Sequence, residues 1–189
     1  MSTTNIMIVG VGGQGTLLAS RILGNVCVSE GYDVKVSEVH GMSQRGGSVV
    51  TYVKFGDQVN SPIIGKGEAD IILAFELLEA YRALPYLKEG GRIIVNTQSI
   101  DPMPVITGAM TYPEDLVQKL SAKVNVTASD ALTLAKEAGN ARAVNVVLIG
   151  LMAKNTQIPH DVWLETLKAT VPPKFVDVNV KAFELGYGQ

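Results

Sequence analysis

Cysteine is almost missing from this sequence: Cys27 is the only one in 189 residues. A lone thiol excludes a cysteine-ligated iron–sulfur cluster or a structural zinc built from this chain alone, and it fits a reducing compartment. An excess of positive charge is missing too, with 16 Lys plus Arg against 18 Asp plus Glu. Without a basic field there is no electrostatic case for nucleic acid or an anionic membrane, so any bound anion must be held by local donors. Long apolar runs are absent, because Gly, Asn or charge interrupts each one well short of the ~20 residues that span a bilayer. The start of the chain, from Met1 into Ile6, has no basic n-region and no small-residue cleavage site. The expectation is a soluble cytoplasmic protein with no membrane or nucleic-acid partner. Also lacking are a Ser-His-Asp triad in a recognisable order, an HExxH zinc site and a GxxxxGK[ST] phosphate loop. Self-contained hydrolase and kinase readings lose their support, and no catalytic residue or metal ligand is assigned.

What is present is an alternation of strand and helix signals over a length suited to one domain, residues 1–189. Ile6 to Val9 is a short apolar run that ends in glycines, and Leu17, Leu18, Ile22 and Val26 follow at helical spacing. With Val34 to Glu38 as the next strand, the first forty residues read as a βαβ unit. Ser48 to Phe55 alternates as a strand with no room for a crossover helix before it, so part of the sheet is expected to be antiparallel. Ile71 to Ala74 is a buried strand, followed by a helix from Glu76 that stops before Gly90 and Gly91, and Arg92 to Asn96 is the next strand. Ser99 to Pro113 is the best loop, Pro113 is expected to open a helix, Val124 to Thr127 is the last strand, and Ser129 or Asp130 caps the helix after it. Ala141 to Asn155, Pro159 to Ala169 and Pro173 to Gly186 read as helices. The fold class is α/β: a three-layer Rossmann-like domain with a mixed, mostly parallel sheet and a helical C-terminal third.

Two glycine motifs carry the chemistry. In GVGGQG, Gly10, Gly12 and Gly15 satisfy GxGxxG directly after a strand and before a helix. Gly10 allows a tight turn, Gly12 and Gly13 let backbone approach a phosphate, and Gly15 lets the helix pack closely with its first N–H groups facing the anion. Gln14 is either a further polar donor at the loop mouth or a solvated glutamine. In HGMSQRGG, Ser43, Arg45 and Gly46 offer a hydroxyl, a guanidinium and flexible backbone suited to phosphate or carboxylate. Loops at the carboxyl ends of neighbouring strands converge, so the two motifs should share one crevice.

Several residues keep two readings. Glu38 sits where an acid binds the ribose of a dinucleotide, or else it pairs with Arg45. His40 is an acid or base, or a hydrogen-bonded structural residue. His160 reads as a helix-cap or surface residue, and Cys27 as a small buried hydrophobe. Asn145, polar within an apolar helix, marks a subunit contact or is a satisfied core amide.

GVGGQGTLLASRIL together with SEVHGMSQRGGSV closely resembles the gamma subunits of 2-oxoacid:ferredoxin oxidoreductases, within them the indolepyruvate type. The likeness runs through ARAVNVVLIGLM to the terminal VNVKAFELGY. It implies a chain that is inactive alone and works beside a large subunit carrying thiamine diphosphate and iron–sulfur clusters. The complex would decarboxylate a 2-oxoacid oxidatively, pass electrons to ferredoxin and the acyl group to coenzyme A. Beside that implication, the glycine loop and Arg45 offer a cradle for the phosphates of coenzyme A. The Ser99 to Pro113 loop or the C-terminal helices are expected at the subunit interface. Two rivals stay open: a free-standing NAD-dependent dehydrogenase, and a noncatalytic nucleotide-binding module.

Overall fold

The computed structural model describes residues 3–40 and 47–189. Six strands form one sheet: β1 (Thr4–Val11), β2 (Asp33–His40), β3 (Ser48–Gly56), β4 (Ala69–Ala74), β5 (Leu87–Asn96) and β6 (Asn125–Ser129), in the order β2-β3-β1-β4-β5-β6. β3 runs antiparallel to both β1 and β2, whereas β1, β4, β5 and β6 pair in parallel. Five strands therefore point one way and β3 alone opposes them. The βαβ reading of the first forty residues holds in chain order, through α1 (Thr16–Ser29), but β3 is wedged between β1 and β2. The hairpin that returns from β2 makes this possible, since an antiparallel neighbour needs no crossover.

Alternation along the central strands divides the core into two layers. Ile6, Ile8, Leu73 and Ile94 face α1 and the later helices. Met7, Val9, Ile72, Ala74, Ile93 and Val95 face the opposite side, where α2 (Leu77–Ala83) contributes Ala80 and Ala83 and α4 (Leu116–Ser121) contributes Leu120. A four-residue helix, α3 (Met103–Ile106), lies between α2 and α4 in sequence. The chain ends in α5 (Ala131–Ala138), α6 (Val144–Ala153), α7 (His160–Thr170) and α8 (Val176–Tyr187). α6 is buried all round, consistent with its almost unbroken apolar sequence.

Some boundaries differ from the sequence expectation. The helix after β4 stops at Ala83 and a 3-10 turn, Leu84–Tyr86, feeds a strand that begins at Leu87, so Gly90 and Gly91 lie inside β5. They sit at a register shift against β4, where a Cβ on Gly91 would come within 3.0 Å of the Asp70 carbonyl oxygen. Pro113 does not open a helix: α4 begins three residues later, behind Asp115 in the left-handed region at φ 57°. The expected cap of α5 is Asp130, whose carboxylate accepts from the Thr133 amide at 3.0 Å. Among the described residues, no helix is long and apolar enough to cross a membrane.

Candidate functional site: the glycine loop at the carboxyl ends of the strands

Every parallel strand delivers its carboxyl end to the same edge of the sheet, and the glycine loop occupies the middle of that edge. β1 ends at Val11, and the chain passes through Gly12, Gly13 and Gln14 to Gly15, the N-cap of α1. Gly13 and Gly15 have φ of 97° and 84°, a region that costs an ordinary L-residue roughly 1–2 kcal/mol. Gly10 is fixed by space instead: a Cβ there would lie 2.9 Å from Gln14 Oε1 and 3.0 Å from Phe75 Cβ.

Gln14 turns inward rather than standing at the mouth. Its Oε1 accepts from the Val11 amide at 2.7 Å, and its Nε2 donates to the Phe75 carbonyl at 3.1 Å. The side chain thus braces the loop against the end of β4. Asn145 braces it from the other side, donating from Nδ2 to the Gly15 carbonyl at 3.3 Å while its Oδ1 accepts from the Val146 amide at 2.9 Å. Of the two readings of Asn145, the satisfied amide is the one observed, with a purpose the sequence did not disclose.

The bracing leaves a row of donors open. Among the described residues, the amides of Gly13, Gly15, Thr16 and Leu17 have no acceptor. α1 has neither a capping side chain nor an acidic residue in its first turn. Unpaired amides and an uncompensated helix dipole together favour an anion at this point. They open onto a cleft of about 430 Å³ lined by Gly12, Gly13, Gly15, Thr16, Leu17, Glu38 and Val49. Glu38 stands across it, where its carboxylate accepts from Ser20 Oγ at 3.3 Å.

The second glycine motif falls largely outside the described residues: Ser43, Arg45 and Gly46 are not described, nor is the side chain of His40 or any Glu38–Arg45 pair. Its flanks are described, and they converge as expected. Ser48 pairs with Val11, and the Gly12 amide donates to the Gly47 carbonyl at 3.0 Å. The far stem of the motif is therefore bonded directly to the first.

Sequence reasoning missed a buried polar cluster beside this loop. Glu76 follows β4, is 1 % exposed, and accepts from the Glu79 amide at 2.9 Å, the Ile100 amide at 3.0 Å and the Tyr112 hydroxyl. Burial, reinforced by the bond to Glu76, pushes the Tyr112 phenol up to about 12. Glu79, also buried, accepts from the Ser48 hydroxyl and from Arg82 Nη1 at 2.6 Å. Asn96 at the end of β5 donates to the Phe75 carbonyl at 3.2 Å and accepts from the Ala131 amide at 3.2 Å. The only sequence signal was an acidic residue directly after a buried strand.

Two other expectations concern reactive side chains. Cys27 is wholly buried, and desolvation, helped by the charge of Glu30, raises its thiol to about 12. His160 opens α7, with its ring edge-on to Tyr187 at 4.6 Å and Nε2 3.2 Å from the Glu184 carboxylate. Among the described residues no group of His, Cys, Asp and Glu is arranged to hold a metal.

A mixed sheet packed between two layers of helices, with a glycine-lined helix N-terminus at its carboxyl edge, defines a Rossmann-like α/β domain. The chain belongs to the pyruvate ferredoxin/flavodoxin oxidoreductase family, whose model matches residues 5–189. It is 47 % identical to the indolepyruvate oxidoreductase subunit IorB of Pyrococcus horikoshii, over 98 % of this chain and 95 % of that protein. Among solved structures, the gamma subunit of a keto/oxoacid ferredoxin oxidoreductase from Geobacter sulfurreducens superposes with a TM-score of 0.73 at 25 % identity, covering 98 % of this chain and 96 % of that one. The same fold occurs in a 2-oxoglutarate:ferredoxin oxidoreductase from Magnetococcus marinus, solved with 2-oxoglutarate, coenzyme A and succinyl-CoA bound. There the TM-score is 0.73 at 19 % identity, over all of this chain and 31 % of that one. The gamma-subunit resemblance and the α/β fold expected from the sequence are both borne out.

Proposed function

We propose that this chain is a cytoplasmic subunit of a complex that oxidatively decarboxylates a 2-oxoacid, an arylpyruvate such as indolepyruvate, to an acyl-CoA with reduction of ferredoxin. In that complex it holds the phosphates of coenzyme A, and a large partner subunit carries thiamine diphosphate and the iron–sulfur clusters. The observation that carries the binding role is the row of amides at Gly13, Gly15, Thr16 and Leu17 that have no acceptor among the described residues, opening on a cleft at a helix with no capping side chain. The family assignment and the identity to an indolepyruvate oxidoreductase subunit support the reaction class and substrate. A distant relative of the same fold binds coenzyme A in a 2-oxoacid oxidoreductase, which supports the choice of anion.

Thiamine diphosphate supplies the carbanion chemistry on the partner, and this chain, with a single buried cysteine, contributes no cluster. Its own work is positional. Gly12 and Gly13 keep side chains out of the phosphates' way, Gly10 leaves room for Gln14 and Phe75 beneath the loop, Gln14 fixes the loop, and Gly15 presents the first amides of α1. Glu38, facing the cleft, suits a ribose hydroxyl. Ser43, Arg45 and Gly46 complete the cradle, with the guanidinium supplying the positive charge that no described lining residue carries.

The test is Arg45→Ala in the assembled complex. Losing one charge-assisted phosphate contact should cost on the order of 1.5–3 kcal/mol, about ten- to a hundredfold in affinity. The KM for coenzyme A should rise by that factor, while oxoacid-dependent cluster reduction, which precedes acyl transfer, changes less. Loss of oxoacid-dependent reduction with an unchanged KM for coenzyme A would instead place Arg45 at the substrate carboxylate or the subunit interface. The isolated chain should be colourless and inactive on any 2-oxoacid, and iron in stoichiometric amount would refute the division of labour.

A further inference from the structure

Resting on the reading of the chain as one subunit of a complex, we infer that the segment 99–115 is the docking surface for the thiamine-binding subunit, with Met103, Ile106 and Met110 as its apolar centre. These three side chains are 64 %, 66 % and 65 % exposed. Met103 and Ile106 stand three residues apart on α3, hence on one face. The Met110 amide donates to the Pro104 carbonyl at 3.0 Å, which folds the backbone at Met110 back onto α3. Three large, unpartnered apolar side chains within eight positions form a concentrated patch, and methionine adapts well to an irregular protein surface.

A floppy loop with exposed methionines would mean little, but this one is clamped at both ends. The Leu77 amide donates to the Gln98 carbonyl at 3.1 Å, the Ile100 amide to Glu76 at 3.0 Å, the Tyr112 hydroxyl to the same carboxylate, and the Leu78 amide to the Tyr112 oxygen at 3.2 Å. One buried acid at the end of β4 thus ties down the entry and the exit of the segment. Fixing an apolar surface before a partner arrives lowers the entropy lost on binding.

Charge says what kind of surface fits. Residues 99–115 include Asp101, Glu114 and Asp115 and no Lys or Arg. All three carboxylates are exposed, and among the described residues none is in an ion pair. Nearby Lys119 directs its ammonium to the Glu114 carbonyl at 2.8 Å. An apolar centre with an acidic rim calls for an apolar recess edged by Lys and Arg. A second copy of this chain is disfavoured, because a two-fold contact would set three carboxylates against three. Location supplies the last argument. The Phe75 carbonyl, adjacent to Glu76, accepts from both Gln14 and Asn96, so the clamp and the glycine loop share one edge of the sheet. A partner seated on 99–115 is brought to the edge of the sheet where the proposed coenzyme A site lies.

The experiment uses the full chain and a thiamine-binding subunit from the same source, mixed as purified proteins, with affinity measured by biolayer interferometry. Ile106→Asp should weaken association on the order of 100-fold, as expected for a central apolar contact, and leave the melting temperature of the free chain unchanged. Met103→Ser with Met110→Ser is the milder second variant, and Val28→Asp, on the outer face of α1, is the control that should bind as wild type. Asp101→Lys with Glu114→Lys should slow association and flatten its salt dependence. If Ile106→Asp and the serine pair associate like wild type, the docking surface is elsewhere and the subunit reading stands. A wild-type homodimer that becomes monomeric in Ile106→Asp would overturn the choice of occupant. If the wild-type chain does not associate with the thiamine-binding subunit at all, the subunit reading fails and the docking surface with it.

Discussion

Replacing Gly150 by alanine should unfold this protein at a distinctly lower temperature, against what helix propensity alone says. Gly150 lies in the middle of α6, where exchanging glycine for alanine ordinarily stabilises by roughly 0.5–1 kcal/mol. Here α6 and α8 cross so closely that a Cβ on Gly150 would sit 2.1 Å from the Phe183 carbonyl oxygen and 3.0 Å from the Tyr187 nitrogen. The crossing is reciprocal, since a Cβ on Gly186 would meet the Val147 carbonyl oxygen at 2.0 Å. Both obstacles are backbone atoms, which no rotamer change moves aside, so the helices must separate by about 1 Å and give up part of the dispersion energy along their contact. Overpacking of a core typically costs about 1–3 kcal/mol, and a backbone clash belongs at the upper end. After the gain in propensity the net loss should be about 2 kcal/mol, or roughly 4–8 °C in melting temperature for a chain of this size. Gly186→Ala should behave alike, and the double variant should lose clearly less than the sum, because the first substitution has already forced the helices apart. Thermal and urea denaturation followed by circular dichroism measure all three. A melting temperature for Gly150→Ala equal to or above wild type would refute the close crossing and with it the packing of the C-terminal helices.

Three further outcomes follow from other parts of the molecule. Tyr112 is held neutral, its phenol raised from 10 to about 12, so its contribution to stability is complete below pH 10 and is lost as pH rises from 10 toward 12. Urea midpoints across that range should fall less steeply in Tyr112→Phe than in wild type, and equal slopes would mean that Tyr112 is not buried against Glu76. Asp130→Ala removes the cap of α5 and should cost about 1 kcal/mol near neutral pH. The Thr133 bonds hold the Asp130 carboxyl below its usual range, so wild type and variant should converge as pH falls through that depressed value. Cys27, buried and raised to about 12, should resist a thiol reagent at pH 8 in the folded chain and react at once in denaturant, which a spectrophotometric thiol assay reads directly.

Local chemistry was legible in the sequence because it is written in neighbouring residues. A strand ending in GVGGQG before a helical repeat announced the anion-suited turn, and Gly13 and Gly15 adopt the left-handed backbone that such a turn demands. The alternating run after HGMSQRGG gave an antiparallel strand correctly, since nothing between it and β2 was long enough for a crossover. The scarcity of cysteine was enough to exclude a cysteine-ligated iron–sulfur cluster built from this chain alone.

Tertiary structure alone decided what depends on residues far apart in the chain. Periodicity gives each strand a face but no neighbour, so it could not reveal that β3 enters between β1 and β2. Gln14 read as a donor at the loop mouth or a solvated glutamine because its partner, the Phe75 carbonyl, lies 61 residues away; Asn145 reaches the Gly15 carbonyl across 130. The Glu76–Tyr112 clamp and the glycine-to-backbone crossing of α6 and α8 leave no local signature either. A buried carboxylate and an exposed one are the same letter, and only the folded chain brings the donors that distinguish them, because desolvation and hydrogen bonding are properties of the surroundings and not of the residue.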